Sequence, residues 1–284
     1  MNPGGQTEPY AVLGHPVAQT LSPSMHNAAF SALGMDAIYL AFDVEPKHLL
    51  PVLHSMWKMG FRGVNLTLPL KEIAFQGITD LDDSSRLVGA VNTVLMGENG
   101  PRGFNTDGDG FLRALQDAFN CSAKDQDVVV LGSGGSARTL ALVCVRGGAS
   151  SVTIVARNRD RSDALVQEIR EIAPCVRTLA VCEPELQADV VRSGSLIIQA
   201  TPVGMQIDDP PLFSSDAFRA DQLVFDLVYT FPKTSILREA HKAGARTANG
   251  MDMLLYQGVR AFEIWTNRPP PVKIMRDTLQ KAIP

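Results

Sequence analysis

Short runs of apolar and β-branched residues alternate with longer amphipathic stretches along almost the whole chain. YAVLG, AIYLAFDV and FRGVNLTLP have the length and composition of strands, and SPSMHNAAFSALG and HLLPVLHSMWKMG between them read as helices. VNTVLMGENGPRGF predicts a hairpin over 90–104, with Asn99 and Gly100 as its turn signal. In GFNTDGDGFLRALQDAF a polar, glycine-rich joint precedes a new helix and divides the chain after residue 107. Beyond it DVVVLG, VTIVA, RTLAV, SLIIQAT and LVFDLVY are apolar runs of strand length separated by helices, as in parallel sheets covered on both faces. Two amphipathic helices, around 250–266 and 270–282, follow the last of these strands and are expected to return to the first half. The alternation predicts an α/β fold with largely parallel sheets, organised as 1–107, 108–249 and 250–284.

Composition narrows the class without changing that picture. At 284 residues the chain is long enough for two cores, since domains commonly hold about 100–150 residues. Apolar residues at 45% and charged residues at 20% describe an ordinary globular protein. A formal net charge of −4 argues against a nucleic-acid partner, which usually meets a basic face. No apolar run approaches the roughly 18 residues that span a bilayer, and MNPGGQTEPY lacks the basic and apolar parts of a signal peptide. The expectation is a cytoplasmic protein with no membrane partner. Cys121, Cys144, Cys175 and Cys182 lie apart without metal-ligand or C-x-x-C spacing and are read as reduced thiols, mostly packed inside. The five histidines form no metal pattern, and no metal is expected.

The first candidate chemistry lies in VVVLGSGGSARTLALVCV, where Gly132, Gly134 and Ala137 make a G-x-G-x-x-A string between strand and helix. The first glycine permits a tight turn, the second lets the backbone approach a pyrophosphate, and the small third residue brings helix and sheet together. The helix N-terminus offers amide donors and a positive dipole end to the anion. After the next strand, in VTIVARNRDRSDA, no carboxylate follows directly to bind ribose hydroxyls, whereas Arg157, Arg159 and Arg161 come in quick succession. A solvated basic helix start is the plain structural reading of these arginines. A charge-assisted bond from one of them to a 2′-phosphate would favour the phosphorylated cofactor by about 10- to 100-fold. NADP is the expected cofactor, with NAD possible.

In the first half, strand alternation in GVNLTLP sets Val64, Leu66 and Leu68 on one face and Asn65 and Thr67 on the other. Pro69 ends the ladder and leaves Lys71 at the C-terminal edge, where open α/β sheets bind ligands. In AQTLSPSMHNAAF, Ser22 is placed as an N-cap with Pro23 at the first helical position, and the Thr20 and Ser22 hydroxyls with free amides would suit a carboxylate. In GFNTDGDG, Thr106 or Asp109 can cap the following helix, which releases Asp107 for other work. Asn92 interrupts an apolar run, and Gln257 stands on an otherwise apolar helix face or is exposed.

Taken in order, GHPVAQTLSPSMHNAAF, GVNLTLPLKE, GAVNTV, GFNTDGDG, GSGGSA, ATPVGM, VFDLVY and NGMDMLLYQG resemble the shikimate dehydrogenase family over nearly the full chain. The resemblance implies an N-terminal α/β substrate domain, a C-terminal Rossmann-type dinucleotide-binding domain, and last helices that pack back on the first. It implies NADP-dependent, reversible reduction of 3-dehydroshikimate to shikimate in chorismate biosynthesis, by a monomer or homodimer. Lys71 and Asp107 would be the acid–base pair. Asn65, Thr67, Asn92 and Gln257 would hold ring hydroxyls, Thr20 and Ser22 the carboxylate, and Tyr229 would line the cleft. Gly132, Gly134, Gly135, Ser136 and Ala137 would form the phosphate loop, Arg157 would take the 2′-phosphate, and Thr201 and Gly250 would complete the cofactor site. Thr20 stands where many members have serine, which raises a quinate/shikimate dehydrogenase as the alternative within the fold. Ala156-Arg157-Asn158 replaces the usual Asn-Arg-Thr and removes supporting hydrogen bonds from the arginine. A non-catalytic dinucleotide sensor is the alternative from another class, opposed by the retention of Lys71 and Asp107. No G-x-S-x-G elbow supports an acyl-transfer hydrolase.

Overall fold

A computed structural model describes residues 3–282. The chain forms two compact units, one of residues up to Gly110 together with Leu254–Ala282, the other Phe111–Met253.

The first unit runs β1 (Glu8–Gly14), α1 (Ser22–Ala32), β2 (Ala37–Asp43), α2 (Leu49–Lys58), β3 (Gly63–Leu66), α3 (Lys71–Gly77), β4 (Asp80–Leu81), α4 (Asp83–Val88), β5 (Thr93–Gly97) and β6 (Gly100–Phe104). Helix α5 (Asp107–Phe119) leads into the second unit. The sheet order is β2-β1-β3-β5-β6-β4, parallel among β2, β1 and β3 and antiparallel across β3, β5 and β6. On one side Leu13, Leu53, Met56, Val64, Leu66 and Leu70 make a buried core. The hairpin forms, but its two loop residues are Glu98-Asn99, one position earlier than the Asn99-Gly100 signal, and Gly100 opens β6 opposite Gly97.

Two further sequence expectations change here. Strand β3 stops at Leu66, and Leu68 is 68% exposed instead of sharing the buried face of Val64 and Leu66. The Leu70 amide donates to the Thr67 carbonyl, and this turn ends the alternation two residues early. The stretch 71–89, left without elements by the apolar pattern, holds α3, β4 and α4, each too short to display a period.

The second unit continues β7 (Asp127–Leu131), α6 (Gly135–Arg146), β8 (Ser151–Val155), α7 (Arg159–Ile172), β9 (Arg177–Val181), α8 (Pro184–Ser193), β10 (Leu196–Gln199), β11 (Leu223–Asp226), α9 (Ser235–Lys242) and β12 (Arg246–Asn249). Its strands are all parallel in the order β12-β11-β10-β7-β8-β9. Counted within the unit this is 3-2-1-4-5-6 read from the other edge, the doubly wound Rossmann-type arrangement. The apolar pattern missed β12, because RTAN at the sheet edge contains no apolar run.

Helix α10 (Met251–Thr266) returns the chain to the first unit, where α11 (Val272–Ala282) packs on α1. The Trp265 indole donates to the Val94 carbonyl at 3.0 Å, fastening α10 to the sheet. All four cysteines are free, but only Cys144 is buried; Cys175 is exposed and Cys121 and Cys182 are half-buried, against the expectation of mostly packed thiols. Cys144 faces inward on α6, whereas Cys175 lies in the turn between α7 and β9. Among the described residues no helix is long and apolar enough to cross a membrane, and no cluster of three metal-ligating side chains occurs.

Candidate active site

Lys71 opens α3 directly after the Thr67–Leu70 turn that follows β3, and its carbonyl accepts from the Val91 amide at 2.9 Å. Asp107 opens α5 directly after β6 and the Asn105-Thr106 link. The two helix starts bring Lys71 Nζ within 2.6 Å of Asp107 Oδ2, with side chains 23% and 16% exposed. Two of the three ammonium protons have no partner among the described residues. The other Asp107 oxygen accepts from Asn92 Nδ2 at 2.8 Å, so the carboxylate is held on both sides.

Asn92 is 2% exposed and bonded throughout. Its Oδ1 accepts from the Thr106 amide at 2.8 Å and the Thr93 hydroxyl at 3.0 Å, while Nδ2 also reaches Thr106 Oγ1 at 3.0 Å. Asn65, opposite Thr93 in the antiparallel register, donates to the Asn92 carbonyl at 3.1 Å and Thr93 Oγ1 at 3.0 Å. Its Oδ1 accepts from the Tyr39 phenol at 2.7 Å. The Ser22 hydroxyl lies beside the same phenol.

Ser22 is the first residue of α1 and not its cap; Leu21 holds the cap position without a side-chain bond. Thr20 Oγ1 instead takes the Ser22 amide at 3.3 Å, covering one of the free donors at that helix start. Thr67 is half-buried, and its hydroxyl has no partner among the described residues. Gln257 is half-buried on α10 and turns its Nε2 back to the Leu254 carbonyl at 3.0 Å. The structure therefore joins Ser22, Asn65, Asn92, Lys71 and Asp107 through continuous contacts, with Thr20 attached by Ser22. No hydrogen bond among the described residues joins Gln257 to that set. Thr93 and Tyr39, which the sequence reading did not single out, are integral to it. The Asn-Thr pairs at 92–93 and 105–106, flanking the hairpin, were the available signal.

In the second unit, Gly132 follows β7 at φ +117, where a side chain would meet the Ala200 carbonyl oxygen at 3.1 Å and the Thr201 methyl at 3.3 Å. That places Thr201 against the glycine loop. Gly134 caps α6 in extended backbone, and a Cβ there meets nothing within 4 Å. This open space in front of the exposed Gly135 and Ser136 amides fits a pyrophosphate, while the buried Ala137 packs the helix on the sheet. Arg157 is exposed just past β8 and makes no ion pair or hydrogen bond among the described residues, whereas Arg159 is paired with Glu183. Asn158 caps α7 by accepting from the Arg161 amide at 2.9 Å. The residues present thus fit a 2′-phosphorylated dinucleotide. Gly250 is packed so that any side chain would collide with the Leu227 carbonyl, which explains the glycine without a ligand. Tyr229 follows β11, and burial raises its phenol above the usual range.

Comparison with known proteins gives two family matches, to the "Shikimate dehydrogenase substrate binding domain" over residues 12–94 and the "Shikimate 5'-dehydrogenase C-terminal domain" over 250–280. The chain is 41% identical to a shikimate dehydrogenase (NADP(+)) of Methanopyrus kandleri over 96% of its own length and 95% of the relative's. A crystal structure of a shikimate dehydrogenase in complex with NADP+ superposes with a TM-score of 0.92 at 35% identity, covering 100% of this chain and 98% of that one. Shikimate 5-dehydrogenase from Thermus thermophilus, in complex with NADP(H) and shikimate, gives 0.86 at 37% identity, covering 97% and 100%.

Proposed function

The chain belongs to the shikimate dehydrogenase family, and from that premise we propose that it reduces 3-dehydroshikimate to shikimate reversibly with NADPH, in the biosynthesis of chorismate and the aromatic amino acids. The observation that carries this reading is the Lys71–Asp107 pair at 2.6 Å, braced by Asn92.

NADPH, when bound, supplies the hydride. The Gly134, Gly135 and Ser136 amides would hold its pyrophosphate, and Arg157 would hold the 2′-phosphate. In the first unit the Lys71 ammonium directs a free N–H at the ketone oxygen, stabilises the charge that develops there and delivers the proton that completes the alcohol. In the oxidative direction Lys71 takes that proton from the hydroxyl. Asp107 keeps the lysine aimed, and the Asn92 amide, besides the ring contact implied by the resemblance, fixes Asp107. Thr67, Gln257 and the remaining acceptor site of Asn65 meet the ring hydroxyls, and Thr20 and Ser22 the carboxylate. The four free thiols support a reducing, cytoplasmic compartment. Action as a monomer or homodimer belongs to the same reading.

Lys71→Met removes the proton carrier and keeps the stem. It is expected to lower kcat by roughly 100-fold or more, within the range for general acid–base catalysis, with NADP affinity unchanged by direct titration. The assay follows NADPH absorbance with shikimate and quinate, each with NADP and NAD. Unchanged turnover removes Lys71 from the mechanism, and a kcat/KM for quinate above that for shikimate moves the protein to the quinate branch.

A further inference from the structure

The bonds leading away from Asp107 have a direction that the groups themselves dictate. The Thr106 backbone N–H can only donate, so the Asn92 atom facing it is the oxygen, and the Asn92 NH2 is turned to Asp107. The Asn92 backbone carbonyl can only accept, so the Asn65 atom facing it is the NH2, and the Asn65 oxygen is turned to Tyr39. The Tyr39 hydroxyl must then be the donor. Thr93 Oγ1 closes the path by accepting from Asn65 and donating to Asn92.

Tyr39 is fully buried and therefore touches no ligand. Its ring is stacked on His26 at 4.5 Å and 15° and flanked by Trp265 at 6.1 Å, which leaves the phenol one position. Burial holds it well above its usual range, so the donated proton stays in place.

We propose that Tyr39 is a positioning residue of the acid–base pair, orienting Asn65 and, through Thr93 and Asn92, the carboxylate of Asp107 that aims Lys71. The proposal rests on the dehydrogenase reading above. Without the phenol the Asn65 oxygen loses its only donor among the described residues, its amide is free to turn over, and the Thr93 and Asn92 bonds lose their fixed sense. A displacement of about 1 Å at a reacting group can cost about 100-fold in rate, so a loosened but intact pair should lose about tenfold.

The test uses Tyr39→Phe in the full chain, assayed beside the unmodified protein. The expected result is kcat lower by about tenfold, KM for NADP essentially unchanged, and a larger solvent deuterium isotope effect on kcat as proton transfer becomes limiting. A purely structural role would leave that isotope effect unmoved. Should Tyr39→Phe fail to fold, Thr93→Val and Thr93→Ser decide: valine should reproduce the loss and serine restore it. Unchanged kcat in Tyr39→Phe, or equal behaviour of the two Thr93 variants, overturns the proposal while leaving the dehydrogenase reading intact. An unmodified protein without shikimate-dependent turnover overturns both.

Discussion

Arg157 and Arg159 stand two residues apart after β8 and have opposite surroundings. Glu183 pairs with Arg159, while Arg157 is exposed and has no partner among the described residues. Of these two, Arg157 is the one available to a phosphate, and unlike the equally unpaired Arg161, whose amide is taken up by the Asn158 cap inside α7, it stands directly at the strand end. A charge-assisted bond is worth roughly 1.5–3 kcal/mol, so Arg157→Ala should reduce kcat/KM with NADP by about 10- to 100-fold and leave the value with NAD unchanged. Arg159→Ala should alter neither in the same degree. Equal losses with both cofactors would place Arg157 outside the 2′-phosphate site. The arginine cluster was legible in the sequence, but which member is free was not, because Glu183 lies 24 residues downstream and meets Arg159 only through the parallel register of β8 and β9. The same holds for Asn65: alternation named the residue, and only the pairing of β3 with β5 and the reach of Tyr39 from β2 revealed that Thr93 and Tyr39 use most of its amide.

Helix α10 meets β3 where the strand has no side chain. A Cβ on Gly63 would lie inside the indole of Trp265, which is itself fastened by its bond to Val94 and packed on Tyr10 at 5.5 Å. The ring has no room to retreat, so Gly63→Ala should cost about 1–3 kcal/mol, the usual penalty for overpacking. At about 2–4 °C per kcal/mol for a domain of 150–250 residues, calorimetry should show a clear fall in melting temperature. Combining it with Trp265→Phe should recover part of that fall; an unchanged midpoint in Gly63→Ala means that the indole can move. Elements of this kind were read from sequence to different depths. The strands β7 and β10 follow from their continuous apolar, β-branched runs and the helices α6 and α10 from periodicity. Helices α3 and α4 and strands β4 and β12 hold seven residues or fewer and have no period to read. They form because the neighbouring sheet and the turn after Thr67 leave the chain no other course.

Each unit has its own core, and acid acts on the two with opposite sign. In the first unit His26 is fully buried with both ring nitrogens unpartnered among the described residues, and burial pulls it down to about 3. In the second, burial raises Asp226 to about 6, although the Thr234 hydroxyl and the Val228 amide both donate to it. The unfolded chain binds a proton at His26 below about 6.5 while the folded unit does not until about 3. The stability associated with a neutral His26 is therefore present above the unfolded value and lost as pH falls through that window. Asp226 behaves the other way: the folded unit takes up the proton first, so its destabilising charge is relieved as pH falls from about 6. At about 1.4 kcal/mol per unit, moving from pH 7 to pH 5 should weaken the first unit by about 2 kcal/mol through His26 and strengthen the second by about 1 kcal/mol through Asp226. Both tryptophans, Trp57 and Trp265, lie in the first unit, so their fluorescence reports that unit alone, whereas far-ultraviolet circular dichroism reports both. In urea at pH 5 the fluorescence midpoint should fall below its value at pH 7 and precede the dichroism midpoint. His26→Phe, which keeps an aromatic ring against Tyr39 and has no titrating nitrogen, should abolish most of that shift. A fluorescence midpoint that moves equally in the variant would assign the acid sensitivity of the first unit to groups other than His26.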